Sequence, residues 1–209
     1  MRGLFCAPCQ SLTAEVSGRG LALSGRPFNA LEVKVRFALK AATDDVHREL
    51  DERLSRLDLA DRQDYGRFLR FHGRAVPAVE SALSSAGLHD LVDGWHDHRR
   101  SGAIQADLAA LGEAMPEPVL APALDTVGEL LGTAYVLEGS RLGGRVLKRR
   151  LGQGFPSDFL SGSDCGGSWP NVIAALDQRL YSDALIGEAA AAARRCFALF
   201  LSVAHEVGL

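Results

Sequence analysis

The amino-acid sequence predicts an all-α protein, and three observations lead to that prediction. Alanine, leucine and arginine are abundant, while aromatic residues make up only 7% of the 209 residues. Such a composition favours helices over a β-sandwich or a barrel. Apolar residues recur at steps of three and four, as on one face of an amphipathic helix, and no useful stretch alternates apolar with polar residues. We therefore expect about six to eight helices around one core.

Composition and charge also exclude several classes of protein. The formal net charge of −3, from 23 basic and 26 acidic residues, lacks the basic excess of a dedicated nucleic-acid binder. Hydrophobic residues form 47% of the chain, which is enough for a packed core. No run reaches about 18 consecutive apolar residues, so a membrane-spanning helix is not expected. We therefore expect neither a nucleic acid nor a membrane as a partner.

The N-terminal part of the chain differs from the rest in its composition. Glycine, serine and proline are frequent there, and no helical period is sustained. We predict a flexible N-terminal extension over residues 1–32, because such segments rarely bury enough apolar surface to fold. One helical domain is predicted over residues 33–209.

The four cysteines show no pattern of a metal site. Cys6 and Cys9 form a lone Cys-x-x-Cys, while Cys165 and Cys196 lie far away along the chain. Structural zinc would need a second pair of ligands at a suitable spacing. We interpret Cys6 and Cys9 as reduced thiols in the flexible tail of a cytoplasmic protein.

The first half of the domain is predicted to hold three helical segments. The first helix has an apolar face made of Val35, Leu39, Ala42, Val46, Leu50, Leu54 and Leu57. The second is predicted over 61–85, with a bend at Pro77. A third segment over 90–111 is predicted to be helical with a break near 101–102.

The second half is divided by proline and glycine. Three prolines within 116–122 mark a loop and the start of the next helix, predicted from about residue 121 toward the glycine-rich stretch 139–144. Glycines and a proline within 152–156 end this helix. Pro170 is predicted to begin another helix, and the alanine-rich segment 188–195 to form the last one, ending near residue 207.

A stripe of functional side chains borders the apolar face of the first helix. Lys40, Thr43 and His47 are spaced by three and four residues and therefore share one side of the helix. Lys40 lies about two turns, roughly 10 Å, from His47. A metal-binding imidazole and an ammonium at that distance suit a flat, anionic cofactor such as heme. The alternative is that these polar side chains simply flank an amphipathic helix.

A second segment, 132–150, has helix-forming ends and a glycine-rich middle. Gly139, Gly143 and Gly144 stand there beside Ser140. Each glycine costs about 1 kcal/mol relative to alanine inside a helix, so we predict a kink. Without Cβ atoms on one face, the backbone can approach a partner closely. That partner is either a neighbouring helix or a planar ligand, and a bent helix can also hold ordered water.

Together the two segments resemble the biliverdin-producing heme oxygenases. The segment LKAATDDVH, residues 39–47, resembles the proximal helix of that family, whose histidine ligates the heme iron. The segment YVLEGSRLGGRVLK, residues 135–148, resembles the distal helix that bends over the other heme face. The resemblance covers about residues 33–207, and the Glu-Gly-Ser variant at 138–140 is more similar to bacterial members, including those that accompany bacteriophytochromes.

The resemblance implies an oxidoreductase. Heme would be both cofactor and substrate, cleaved to biliverdin, ferrous iron and carbon monoxide with molecular oxygen and electrons from an external donor. Ferredoxin or a flavoprotein reductase would supply the electrons, since the chain has no flavin or nicotinamide motif, and a phytochrome could accept the biliverdin. The alternative is a non-catalytic protein of the same fold that stores or senses heme.

The resemblance also implies roles for residues on the distal side. Gly139, Gly143 and Gly144 would bring main chain close above the porphyrin. Ser140 stands where many animal members carry an aspartate, so a carboxylate is missing from the water network and the hydroxyl would hold water instead. These four residues are the catalytic candidates.

The heme-binding candidates lie mostly on the first helix. His47, as a neutral imidazole, would be the axial ligand of the heme iron. Lys40 matches a family lysine near a heme propionate. Thr43 and Tyr135 are further candidates, and Arg150 would reach the other propionate if the distal helix continues that far.

Overall fold

A computed structural model describes residues 30–162 and 168–209 of the chain. Over these ranges the chain forms eight α-helices, two short 3-10 helices (88–90 and 95–98) and no strand. The α-helices are α1 Ala30–Leu54, α2 Arg62–Ser85, α3 Ser101–Ala110, α4 Val127–Gly139, α5 Arg141–Lys148, α6 Asp158–Ser161, α7 Ser168–Arg179 and α8 Asp183–Glu206. The predicted all-α class is therefore confirmed. Residues 1–29 of the predicted extension, with Cys6 and Cys9, lie outside the described residues, as does Cys165.

The last helix is central to the packing. α8 packs against both α1 and α4, α4 also packs against α7, and α2 packs against α3. The predicted apolar face of α1 lies in this core, where Leu39 and Leu50 are fully buried. None of the described helices is both long enough and apolar enough to span a bilayer.

The second helix begins where the sequence predicts it. Asp61 caps α2 by accepting hydrogen bonds from the backbone amides of Gln63 (2.9 Å) and Asp64 (3.0 Å), which satisfies two of the open amides at a helix start. The helix then runs through Pro77 to Ser85.

The predicted break near residues 101–102 coincides with the start of α3. The segment before it is wrongly predicted as α-helix, because it forms two short 3-10 helices. Gly87 and Gly94 precede these with φ of 81° and 72°, backbone angles that interrupt an α-helix and favour glycine.

Two helices begin at side-chain caps rather than at the predicted proline and alanine signals. α4 starts at Val127 and not near residue 121, because the hydroxyl of Thr126 accepts from the amide of Glu129. Likewise α8 starts before the alanine-rich segment, where the hydroxyl of Ser182 accepts from the amide of Leu185. Both are hydroxyl caps three residues ahead of the amide they bind.

Close packing of α4 on α8 depends on one glycine. A Cβ added at Gly132 would overlap the backbone carbonyl of Ala189 on α8. A backbone group cannot rotate aside as a flexible side chain can, so the two helices would have to separate. We predict that Gly132→Ala lowers the free energy of unfolding by about 3 kcal/mol, measured by chemical denaturation.

The matched control for this prediction is Gly187→Ala on the facing helix. A Cβ added there meets nothing within 4 Å, and alanine is preferred over glycine inside a helix by about 1 kcal/mol. The control is therefore expected to keep or raise stability. An unchanged free energy of unfolding in the Gly132 variant would contradict the close approach of α4 and α8.

Candidate functional site

His47 lies on α1 in a setting that keeps its imidazole neutral. The side chain is 25% exposed, and Nδ1 lies 3.5 Å from Oδ2 of Asp51, one turn further on. Its ring packs edge-on against Phe197 of α8, with the centroids 5.5 Å apart. Burial lowers the pKa of His47, although the carboxylates of Asp51 and Asp44 oppose this effect. The neutral form is the one that can coordinate a metal.

Asp51 is a functional candidate that the sequence analysis missed. Metal-bound histidines usually direct their second ring nitrogen to a carboxylate or carbonyl, which fixes the tautomer and the ring. With Nδ1 of His47 directed at this carboxylate, Nε2 is the nitrogen suited to iron. The signal was available, because an acidic residue four positions after a histidine shares its side of a helix.

The other two members of the predicted stripe differ from each other. Thr43 is only 4% exposed, and its hydroxyl donates to the carbonyl of Leu39 at 2.8 Å. Bonding back to the preceding turn is common for threonine in helices, so this hydroxyl is not directed at a ligand as the resemblance implied. Lys40 is partly exposed on the same side of α1, which leaves its ammonium able to reach an anionic group.

The glycine-rich segment is interrupted as predicted. α4 ends at Gly139 and α5 begins at Arg141. Ser140 between them keeps φ −63° and ψ −23°, which are right-handed helical angles, so the chain passes from one helix to the next without reversing its direction. The Ser140 hydroxyl donates to the carbonyl of Leu137 at 2.6 Å. We call the segment 137–141 the distal bend.

A buried arginine, Arg100, is hydrogen-bonded to the distal bend. Nη2 of Arg100 donates to the carbonyl of Leu137 and to the hydroxyl of Ser140, both at 2.9 Å. The residue is 6% exposed, and burial together with the nearby Arg141 lowers the pKa of Arg100 to about 10. It remains charged at neutral pH. Sequence analysis missed this contact because the partners lie 37 and 40 residues apart along the chain.

Two carboxylates balance the two buried guanidinium groups. Nε of Arg141 lies 2.7 Å from Oε2 of Glu138 within the distal bend. Glu80 of α2 accepts from the backbone amide of Arg100 at 2.5 Å and from the Ser101 hydroxyl. Buried charges are tolerated when they are paired and hydrogen-bonded in this way. We call Glu80, Arg100, Glu138 and Arg141 the charge quartet.

A small cavity lies directly behind the distal bend. Its volume is about 20 Å³, which is enough for one water molecule. The cavity is lined by Phe68, His72, Arg100, Ser140, Arg141, Gly144, Leu147, Phe159 and Leu160. Ser140 and Gly144 therefore share a small, mostly apolar pocket into which the polar groups of Arg100, Ser140 and Arg141 also reach, and these groups could bind a water there.

Gly139 faces a different neighbour. A Cβ added there would lie 3.4 Å from the indole of Trp169 on α7, and the ring of Tyr135 lies 5.5 Å from the same indole. The sequence left open whether the close neighbour of these glycines is a helix or a planar ligand. At Gly139 the structure shows a neighbouring helix, α7. Gly143 is buried.

Arg150 does not meet the condition under which it was assigned to heme. The distal helix does not continue that far, because α5 ends at Lys148. Nη2 of Arg150 instead donates to the carbonyl of Leu57 at 3.0 Å. This contact ties the end of the distal segment to the loop after α1 and leaves Lys40 as the better candidate for a propionate.

His72 is buried in an aromatic cluster beside the cavity. It is 4% exposed, its Nδ1 lies 2.8 Å from the carbonyl of Phe68, and its ring contacts Phe71 and Phe159. Burial lowers the pKa of His72 to about 3. The imidazole is therefore neutral in the folded protein, with Nδ1 as the donor to Phe68.

This buried histidine predicts a specific loss of stability in acid. Between pH 6.5, the ordinary value, and about 3, the unfolded chain binds a proton at His72 and the folded chain does not. Stability should therefore fall by about 1.4 kcal/mol per pH unit from this group as the pH drops. His72→Gln is expected to remove that part of the slope in denaturation at several pH values. His205→Gln, at an exposed position of α8, should not, and identical slopes for the His72 variant and the unsubstituted chain would refute the assignment.

Comparison with known proteins defines first the class of fold. The structure is similar to the NO- and CO-bound heme oxygenase from Neisseria meningitidis, with a TM-score of 0.69 and 23% sequence identity. The similarity covers 83% of this chain and 91% of the other. The fold is therefore the all-α fold of a heme oxygenase.

Sequence relatives then identify the family. A heme oxygenase from Xanthomonas campestris pv. campestris is 34% identical over 146 residues, which cover 67% of this chain and 88% of that protein. Heme oxygenase PigA from Pseudomonas aeruginosa is 28% identical over 149 residues, covering 66% and 75% respectively. No family model matches the chain. The chain belongs to the heme oxygenase family and is an enzyme of that class.

Proposed function

We propose that this chain binds heme between α1 and the distal bend and cleaves it to biliverdin, ferrous iron and carbon monoxide. Molecular oxygen is the co-substrate, and the electrons come from an external donor. The observation that carries the proposal is the pairing of His47 with Asp51 on a fold shared with heme oxygenases. The unit that performs the reaction is proposed to span residues 33–209.

The residues of α1 fit heme in their chemistry. A neutral imidazole supported by a carboxylate is a common donor to heme iron. Asp51 would hold the ring of His47 so that Nε2 points at the metal, and the contact with Phe197 would limit rotation of the ring. Lys40 would pair with a propionate. When bound, heme supplies the redox-active iron and the oxidisable ring, while the protein supplies position and hydrogen bonds.

The residues of the distal side would control access and water. We propose Gly139, Gly143 and Gly144 as the segment that lies over the porphyrin. At Gly139 the indole of Trp169 fills the space of the missing Cβ, whereas at Gly143 and Gly144 the missing Cβ atoms would allow close approach of a flat ligand. Ser140 would hold an ordered water through its hydroxyl, and the cavity shared by Ser140 and Gly144 has room for one. Tyr135 would flank this side of the site. These residues of the distal side would act by excluding bulk solvent or by holding a proton near the porphyrin.

The electron donor and the product acceptor are proposed by class. Reduced ferredoxin or a flavoprotein reductase would supply electrons, and a phytochrome would accept the biliverdin. We place the protein in the cytoplasm. The buried free thiol of Cys196 supports a reducing compartment, because thiols persist there.

Turnover of heme tests the proposed function. The protein is reconstituted with heme and supplied in air with ascorbate, or with ferredoxin and its reductase. The Soret band should decay while the red absorbance of biliverdin grows. A Soret band that persists, with no verdoheme and no biliverdin, would favour the alternative of a protein that stores or senses heme.

A further inference from the structure

We propose that Trp169 forms one wall of the heme site and helps to decide which edge of the porphyrin is cleaved. The inference rests on the proposed function, because it assigns a residue to the same site. It concerns specificity and adds no chemical step.

The indole of Trp169 packs on Gly139, the one residue of the distal bend that has no side chain. The ring of Trp169 lies within van der Waals distance, 3.4 to 3.7 Å, of where a Cβ on Gly139 would stand. The ring of Tyr135, one turn earlier on α4, tilts against the indole at 44° with the centroids 5.5 Å apart. Gly139 and Tyr135 thus both pack against the indole, and these contacts define its position relative to the distal bend.

The indole is held in place by a helix that joins the two sides of the proposed site. α7 packs against α4, which leads into the distal bend, and against α1, which carries His47. Val172 and Leu176 anchor α7 because both are fully buried in the core. Trp169 stands in the first turn of this helix, where its backbone is fixed and its ring projects toward Gly139.

The ring is not itself part of the buried core. Trp169 is partly exposed, whereas the other tryptophan, Trp95, is 1% exposed and belongs to the core. Ligand sites are typically lined by aromatic side chains that present a face or an edge to the ligand. A partly exposed indole that packs on the helix backbone is therefore suited to contact a planar aromatic ligand through dispersion and ring stacking.

A fixed wall restricts how a flat ligand can rotate within its own plane. His47 would hold the iron at one point only, so the porphyrin could otherwise turn about that point. An indole at Gly139 would collide with the ring substituents in some orientations and not in others. The orientation that remains would decide which edge of the substrate ring lies under the distal bend, and hence which biliverdin isomer forms.

Truncation of the indole tests this proposal with two independent measurements. The first is the pattern of hyperfine-shifted heme methyl resonances in the proton NMR spectrum of the ferric cyanide complex, which reports in-plane orientation without turnover. The second is the composition of biliverdin isomers by chromatography. For Trp169→Ala we expect a second set of methyl resonances and a roughly threefold or larger change in the isomer ratio, because the contacts of the ring are lost.

Two variants serve as controls. Trp169→Phe retains an aromatic wall and is expected to stay close to the unsubstituted protein in both measurements. Tyr181→Ala removes an aromatic ring that is 73% exposed just beyond α7 and should change neither. If Trp169→Ala does not fold, Trp169→Leu takes its place in the same comparison.

The outcomes separate this inference from the proposed function. The role of Trp169 as a wall of the heme site would be overturned if the truncated variant gave the same methyl shifts and the same isomer ratio as the unsubstituted protein. If the unsubstituted protein binds heme but makes no biliverdin, the proposed function fails while the NMR comparison still decides the role of Trp169. A chain that binds no heme overturns both.

Discussion

Replacing His47 with alanine is expected to lower the rate of heme cleavage by at least about 100-fold. Disturbing only the groups that hydrogen-bond to a metal ligand already costs about 10- to 100-fold, and this change removes the proposed ligand itself. The ferric and ferrous spectra should also change, because the axial nitrogen is lost. Both effects are measured on the reconstituted protein, by biliverdin formation and by the position of the Soret band.

Imidazole and a second histidine make this experiment specific. Free imidazole should restore much of the spectrum and part of the activity if the cavity left by the side chain admits it. His205→Ala, at an exposed position near the end of α8, should behave like the unsubstituted protein. Ferric and ferrous spectra that do not change on loss of His47 would refute its assignment as the iron ligand.

Replacing Arg100 with leucine is expected to have the largest effect on stability. The change removes the guanidinium that donates to the carbonyl of Leu137 and to the hydroxyl of Ser140, and it leaves the negative members of the charge quartet in excess. Breaking a buried charge arrangement by removing one member typically costs about 3–5 kcal/mol. Chemical denaturation should show a loss of this size, and the variant should also cleave heme more slowly because the distal bend loses its support.

The neighbouring residue provides a matched control. Arg99→Leu makes the same chemical change one position earlier, at an exposed side chain, and should alter the free energy of unfolding by less than about 0.5 kcal/mol. Arg100→Lys keeps the charge but has one nitrogen in place of the planar fork, so it should fall between the two. Equal stability of the two leucine variants would show that Arg100 does not hold the bend.

Local sequence signals predicted much of this fold. The apolar face of α1, the cap at Asp61 and the interruption near Ser140 were all predictable, because each depends on residues within a few positions of one another. The prolines within 116–122 predict too early a start for α4. The helix begins instead after Thr126, whose hydroxyl caps it. The signal for that cap, a threonine followed three residues later by a glutamate, was present in the sequence.

The site was predictable only in part, for a physical reason. His47 and the glycines stand out because a helix has no need of them. Arg100 and Trp169 act through contacts with residues far away along the chain, and neither residue is unusual in its own stretch of sequence. Such contacts depend on how helices pack, which a periodic pattern does not encode. Asp51 is the exception, since its spacing from His47 was visible.

The charge quartet has a consequence for how this enzyme can change over time. Its two positive and two negative groups are buried together, so altering one of them leaves a net charge away from bulk water, where screening is weak. A lineage can therefore vary these positions only by changing a cation and an anion together, or by inverting a pair. The residues of the distal bend should accordingly be inherited together, while positions on the helix surfaces around it accumulate substitutions one at a time.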